Sequence, residues 1–207
     1  MMLIGITGGI ASGKTEVAKI FQKIGALVLS GDEIGKEVVE ENPDLLRKLV
    51  NTFGKQILTK GKKLNRKKLG EIAFTTPQST GKLNDLVHPY LLRNLKFKIK
   101  NLKRMNYEKP VVIDAALIVE WGLQSELDFL IFVDCPREKR IERLIKKKGY
   151  TREEVLDRIK AQFPERYKKR EADFIIKNDS DLAEVKQKAK YLWDKILQIK
   201  KEVDKKV

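Results

Sequence analysis

One stretch constrains this chain more than any other. Gly8 to Thr15 reads GGIASGKT and follows directly on the apolar run Met2 to Ile6. A GxxxxGKT pattern that leaves a strand and opens a helix turns successive backbone N–H groups inward, so that loop and helix N-terminus together cradle phosphate oxygens. Gly8, Gly9, Ile10, Ala11, Ser12 and Gly13 then form the cradle, and Glu16 follows in the first helical turn. Lys14 reaches the β and γ phosphates of a nucleotide such as ATP, and Thr15 Oγ ligates Mg²⁺. The flanks suit this reading. Leu3, Ile4 and Ile6 make a short buried strand, whereas Val17, Ala18, Phe21 and Ile24 recur at the spacing of an amphipathic helix.

With 207 residues, 42% of them hydrophobic, the chain can build one sizeable core with room for an inserted subdomain. The first apolar run is too short for a signal peptide and no stretch approaches membrane-spanning length, which predicts a soluble, cytoplasmic protein without a membrane partner. Cys135 is the one cysteine, which excludes an internal disulfide and reads as a small core residue. One cysteine and one histidine argue against a zinc site. The net charge of +15 admits polyanionic small molecules or nucleic acid as partners, and charge alone does not choose. Much of the excess lies in lysine-rich stretches such as Lys195 to Lys206, which read as a solvated helix face.

Ala26 to Leu29 reads as a second strand ending in Ser30, Gly31, Asp32 and Glu33. Ligands of open parallel sheets lie beyond the carboxyl ends of the strands, so Asp32 is a candidate catalytic carboxylate; it could equally cap the helix that follows. Residues 43 to 105 are helical by period and far exceed what a crossover needs, which marks an insertion suited to a second substrate. His88 stands within it, a structural histidine or a site residue. Pro110 to Asp114 has the hhhhD form of a Walker B strand, with Asp114 placed to orient a Mg²⁺ shell. Phe129 to Asp134 has the same form, but Pro136 and a basic helix follow it, which suits a strand end and helix cap. Glu120 is a further polar candidate. Along Arg137 to Lys148, Arg140, Arg143 and Lys147 form a cationic stripe that could close over ATP or simply face solvent. Gly149 and a Thr151 to Glu154 capping box suggest two short helices forming a lid. Phe174 to Ile176 reads as a fifth strand, with Asn178 beyond it near the place of an adenine base. A closing helix from about Asp181 directs Leu182, Val185, Ala189, Leu192, Trp193 and Ile196 to the core.

Taken together, GITGGIASGKT at 5 to 15, SGDEIGKEVVE at 30 to 40, LVHPYL at 86 to 91, VVIDAALIVEWGL at 111 to 123, VDCPREKRIERLIKKKGYTREEV at 133 to 155 and AQFPERYKKREADFIIKN at 161 to 178 resemble the bacterial dephospho-CoA kinases, within the P-loop nucleoside and nucleotide kinase group. The resemblance implies an α/β, three-layer P-loop kinase fold. Its five-stranded parallel sheet has order 2-3-1-4-5, with a core of 1–42, 108–136 and 166–207, a helical CoA-side insertion at 43–107 and a lid at 137–165. It also implies ATP-dependent phosphorylation of the ribose 3′-hydroxyl of dephospho-CoA. Lys14 and the loop would bind ATP together with Arg143, Lys147 and Asn178; Asp32, the second aspartate of the family's DAD pattern, would act as base; His88, Asp114 and Glu120 would serve the acceptor. Ser30 replaces the first aspartate of DAD, Ala115 and Ala116 replace a hydrophobic residue and proline, Lys147 replaces an arginine, and Lys177 an aspartate. The expected state is a monomer or small homo-oligomer. Rival readings are another small-molecule P-loop kinase, a GTPase switch suggested by the DEIG at Asp32 to Gly35, and a nucleic-acid binder. The DEIG lies too close to the loop for a switch segment and no NKxD sequence is present.

Overall fold

The computed structural model describes residues 1–205; Lys206 and Val207, the last of the expected core segment 166–207 and the end of its lysine-rich tail, lie outside the described residues. It divides into two compact units, Met1–Leu29 with Glu108–Val207, and Ser30–Tyr107.

The first unit is built on β1 (Leu3–Thr7), whose every residue is buried. That is the signature of a central parallel strand covered on both faces, which reads as an unbroken apolar run rather than an alternation. After α1 (Lys14–Lys23) comes β2 (Leu27–Ser30); β3 (Val111–Asp114) and β4 (Phe129–Asp134) follow the helical unit. The sheet has the order β2-β3-β1-β4-β5 that the resemblance implies. β1 runs parallel to β3, with Ile6 opposite Asp114, and to β4, with Ile6 opposite Ile131. This register brings the ends of β1 and β3 together, so the loop leaving β1 meets the carboxylate ending β3.

Beyond β4, α6 (Arg137–Lys148), α7 (Arg152–Lys160) and α8 (Glu165–Glu171) lead to β5 (Phe174–Lys177) and α9 (Leu182–Asp204). Periodicity does not reveal α8: with the sequence ERYKKRE it carries no apolar stripe. One face of the sheet, with Ile4, Ile6, Val112, Ile131 and Val133, packs against Val17 and Phe21 of α1 and Val185, Ala189, Trp193 and Ile196 of α9. Phe21 and Trp193 anchor this layer with ring centroids 5.0 Å apart. Leu182, expected in the core, is instead 51% exposed, because the apolar stripe of α9 meets the sheet only from Val185 onward. Asp181 caps α9 by accepting from the Glu184 N–H, and Thr151 and Glu154 form the expected capping box of α7.

The second unit is helical: α2 (Gly31–Glu41), α3 (Pro43–Phe53), α4 (Arg66–Ala73) and the long α5 (Pro77–Arg104). It includes α2, left with the core in the sequence reading, because α2 packs on α5: a Cβ at Gly35 would lie 3.3 Å from Leu91, and Glu37 pairs with Lys98 at 2.8 Å. Pro89 lies inside α5 and leaves the Asp85 carbonyl without its helical donor.

Candidate active site

The site begins where β1 gives way to the loop. Gly8 (φ +151°) and Gly13 (φ +96°) lie in backbone regions that favour glycine. A Cβ at Gly8 would also sit 2.6 Å from the Val133 carbonyl oxygen. Between them the Ser12 N–H donates to the Gly9 carbonyl at 3.2 Å, and Lys14 Nζ donates to the same carbonyl at 3.1 Å. Gly13 caps α1, so the first-turn amides of that helix point toward the loop. Glu16 pairs on the surface with Lys19 at 3.1 Å. Asp114, at the end of β3 and only 6% exposed, accepts a hydrogen bond from Thr15 Oγ1 at 2.8 Å. A hydroxyl and a carboxylate converging beside a phosphate-binding loop supply the hard oxygen donors that Mg²⁺ prefers, so the residues present fit that ion.

The loop is braced by residues far away in the chain. Asn178, buried after β5, donates from Nδ2 to the Ser12 carbonyl at 2.7 Å, and its Oδ1 accepts from Arg143 at 3.1 Å. Its amide therefore serves the loop itself, although its place in the sequence pointed to an adenine contact. Arg143 donates onward to the Ala11 carbonyl at 3.2 Å and contacts Cys135 Sγ at 3.3 Å. Burial pushes the Cys135 thiol up, against the lowering effect of Arg143 and Arg140, and the side chain is buried, as expected of a small core residue. The cationic stripe is divided in use. Arg140 is buried in an ion pair with Glu165, Arg143 lies on the loop, and Lys147 is exposed. A Cβ at Gly9 would run into the Arg140–Glu165 pair. Gln162 Oε1 accepts from the Ile10 N–H at 2.8 Å. Ile10 and Ala11 also pack against Ile141, Leu144 and Val155 of α6 and α7, so the expected lid and the loop share one small apolar cluster.

Past Asp114, Lys168 is 1% exposed and donates to the Ala116 carbonyl at 2.6 Å, which also accepts from Thr7 Oγ1 at 3.0 Å. Lys168 Nζ lies 2.7 Å from Glu120 Oε1 in an ion pair outside hydrogen-bond geometry, and neither Glu120 oxygen accepts a hydrogen bond. Asp134 ends β4 as expected but does not cap α6: it pairs with Lys169 at 3.0 Å, and Pro136 holds the cap position.

In the helical unit, Ser30 caps α2 by accepting from the Glu33 N–H at 3.3 Å. Serine therefore does the capping that aspartate would do there, and Asp32 stands in the first turn, exposed and not the cap. The DEIG sequence is thus helical. His88 is half-buried on α5, one residue before Pro89.

Gln162, Glu165 and Lys168 were absent from the sequence-derived site. The signal that could have found them is a segment rich in charge, QFPERYKK, just ahead of a strand that ends beside the loop. Among the described residues no helix is long and apolar enough to cross a membrane.

The dephospho-CoA kinase family model matches residues 2–184. The chain is 38% identical to the dephospho-CoA kinase of Bacillus licheniformis, covering 93% of this chain and 96% of that one. It is 35% identical to that of Carboxydothermus hydrogenoformans, with 89% of each covered. The solved dephospho-CoA kinase from Campylobacter jejuni superposes with a TM-score of 0.65 at 27% identity, over 94% of this chain and 96% of that one. With a GxxxxGKT loop between strand and helix, a hydroxyl–carboxylate pair beside it and this breadth of likeness, the chain belongs to the dephospho-CoA kinase family.

Proposed function

We propose that the protein transfers the γ-phosphoryl group of ATP to the ribose 3′-hydroxyl of dephospho-CoA, giving CoA and ADP. The observation that carries this reading is the Thr15–Asp114 contact at the mouth of the Gly8–Thr15 loop in a chain of this family. Lys14 and the loop amides bind the β and γ phosphates, and Arg143, fixed on the loop by the Ala11 carbonyl, places its charge beside them. Thr15 and Asp114 would hold Mg²⁺, which when bound neutralises phosphate charge. Asp32 accepts the proton of the 3′-hydroxyl as its oxygen bonds to the γ-phosphorus and the bond to the ADP oxygen breaks. An exposed carboxylate not used for capping suits that role. Glu120, whose oxygens accept no hydrogen bond, and His88 orient the acceptor. Lys147 and Glu16 lie at the surface of the elements that carry the loop contacts and take outer places around the nucleotide.

The test is to mix the protein with ATP, Mg²⁺ and dephospho-CoA and follow CoA and ADP by mass. Equal amounts of both support the reading. A folded protein that binds ATP yet makes ADP only with another acceptor would refute the acceptor and leave the loop assignment standing.

A further inference from the structure

The front of the phosphate loop does not hold its own shape. The Ser12 N–H is satisfied within the loop by the Gly9 carbonyl, but the Ile10 N–H is satisfied by Gln162 Oε1, which is distant in sequence. The next residue, Ala11, has φ +57°, a left-handed conformation that costs a non-glycine residue roughly 1 kcal/mol and must be imposed from outside. The supports converge on three successive residues. The Arg140–Glu165 pair covers Gly9, Gln162 holds Ile10, and Arg143 holds the Ala11 carbonyl. Gln162 is itself fixed by donating its backbone N–H to the Ile159 carbonyl at 3.2 Å, at the end of α7. Glutamine also suits the chemistry. Its amide oxygen accepts a hydrogen bond without placing a negative charge beside a loop that must receive a polyphosphate.

We infer that Gln162 is a positioning residue for the nucleotide: through Ile10 it sets the shape of the loop and makes ATP affinity depend on how the α6–α7 arm is seated. This rests on the reading that the loop holds ATP. Gln162 acts on the backbone, so its loss affects the nucleotide and not the acceptor.

The experiment compares the parent with Gln162→Met, which keeps side-chain length and removes the acceptor. ATP binding is measured by calorimetry, KM for each substrate by steady-state kinetics, and protection of the Ile10 amide by NMR hydrogen exchange. Expected are ATP affinity lower by about fivefold to tenfold, the worth of one hydrogen bond, loss of Ile10 protection, and an unchanged KM for dephospho-CoA. Gln162→Asn, too short by one methylene to reach Ile10, should give the same result and supplies it if Gln162→Met does not fold. ATP affinity within twofold of the parent, an Ile10 amide still protected, or an equal rise in both KM values would each overturn the inference. A parent that binds no ATP would overturn this inference and the proposed function together; a parent that binds ATP only as well as Gln162→Met does would overturn this one alone.

Discussion

Glu165→Gln should destabilise the protein far more than Arg140→Met, although both break the same pair. The Arg140 side chain is 6% exposed and that of Glu165 is 28% exposed, and Arg140 Nε is buried with no acceptor. Removing one partner of a fully buried pair costs about 3–5 kcal/mol, because an uncompensated charge stays behind. Water reaches Glu165, which screens part of the attraction, so Glu165→Gln is expected to cost about 2–3 kcal/mol. The reverse change leaves a carboxylate that can hydrate and replaces the guanidinium-bearing chain with an apolar one that keeps the length of its stem. Arg140→Met is therefore expected to cost only about 1 kcal/mol. For a chain of this size the first value corresponds to a fall in Tm of roughly 5–10 °C. Urea unfolding followed by tryptophan fluorescence is the assay, because Trp121 and Trp193 both lie in the unit that holds the pair. The double variant should be more stable than Glu165→Gln alone, since the stranded charge is gone. The reasoning fails if Glu165→Gln lies within about 0.5 kcal/mol of the parent, no more than an exposed pair is worth, or if Arg140→Met is the costlier change.

Asp32→Asn should lower kcat by about two to four orders of magnitude while leaving KM for ATP nearly unchanged, because it removes the proposed proton acceptor and keeps the helix turn; unchanged turnover would take Asp32 out of the mechanism. Ala11→Val should cost about 1–2 kcal/mol in urea unfolding, since a β-branched residue resists φ +57°, and Ala11→Gly should cost at most about 0.5 kcal/mol, with strain relief offsetting chain entropy. An Ala11→Val protein as stable as the parent would show that the loop backbone is not held there. Cys135, 4% exposed and with its thiol pushed up by burial, should be alkylated at pH 8 at least about tenfold more slowly in the native protein than in urea. Equal rates would mean that the loop contacts around Arg143 open freely. The same raised pKa means that the buried neutral thiol contributes stability below its unfolded pKa, and that this contribution is lost as pH rises through the folded value.

Much of the phosphate side could be read without coordinates. The Gly8–Thr15 loop, the buried strand before it and the carboxylate ending PVVID are local patterns, and the structure joins them through Thr15 Oγ1 and Asp114. The order of the sheet did not come from periodicity, which is blind to strand neighbours; it came from likeness of the whole chain to a family. Local readings changed for physical reasons. Leu182 falls on the apolar period of α9 but precedes the point where the helix meets the sheet. Asp32 has the right type for a cap, but Ser30 already accepts the Glu33 N–H. The cationic stripe of α6 is regular in sequence, yet a half-buried carboxylate claims Arg140 and loop carbonyls claim Arg143.

By itself, then, the sequence determined the strand, the glycine-rich loop and the helix of Leu3 to Lys23, because backbone geometry and hydrophobic period are properties of neighbouring residues. Only the tertiary structure decided what holds the loop in shape. Asn178 on Ser12, Gln162 on Ile10 and Arg140 with Glu165 over Gly9 are pairings across long chain separations. Such hydrogen bonds depend on positions in space that folding alone brings within about 3 Å, and no local pattern of residue types encodes them.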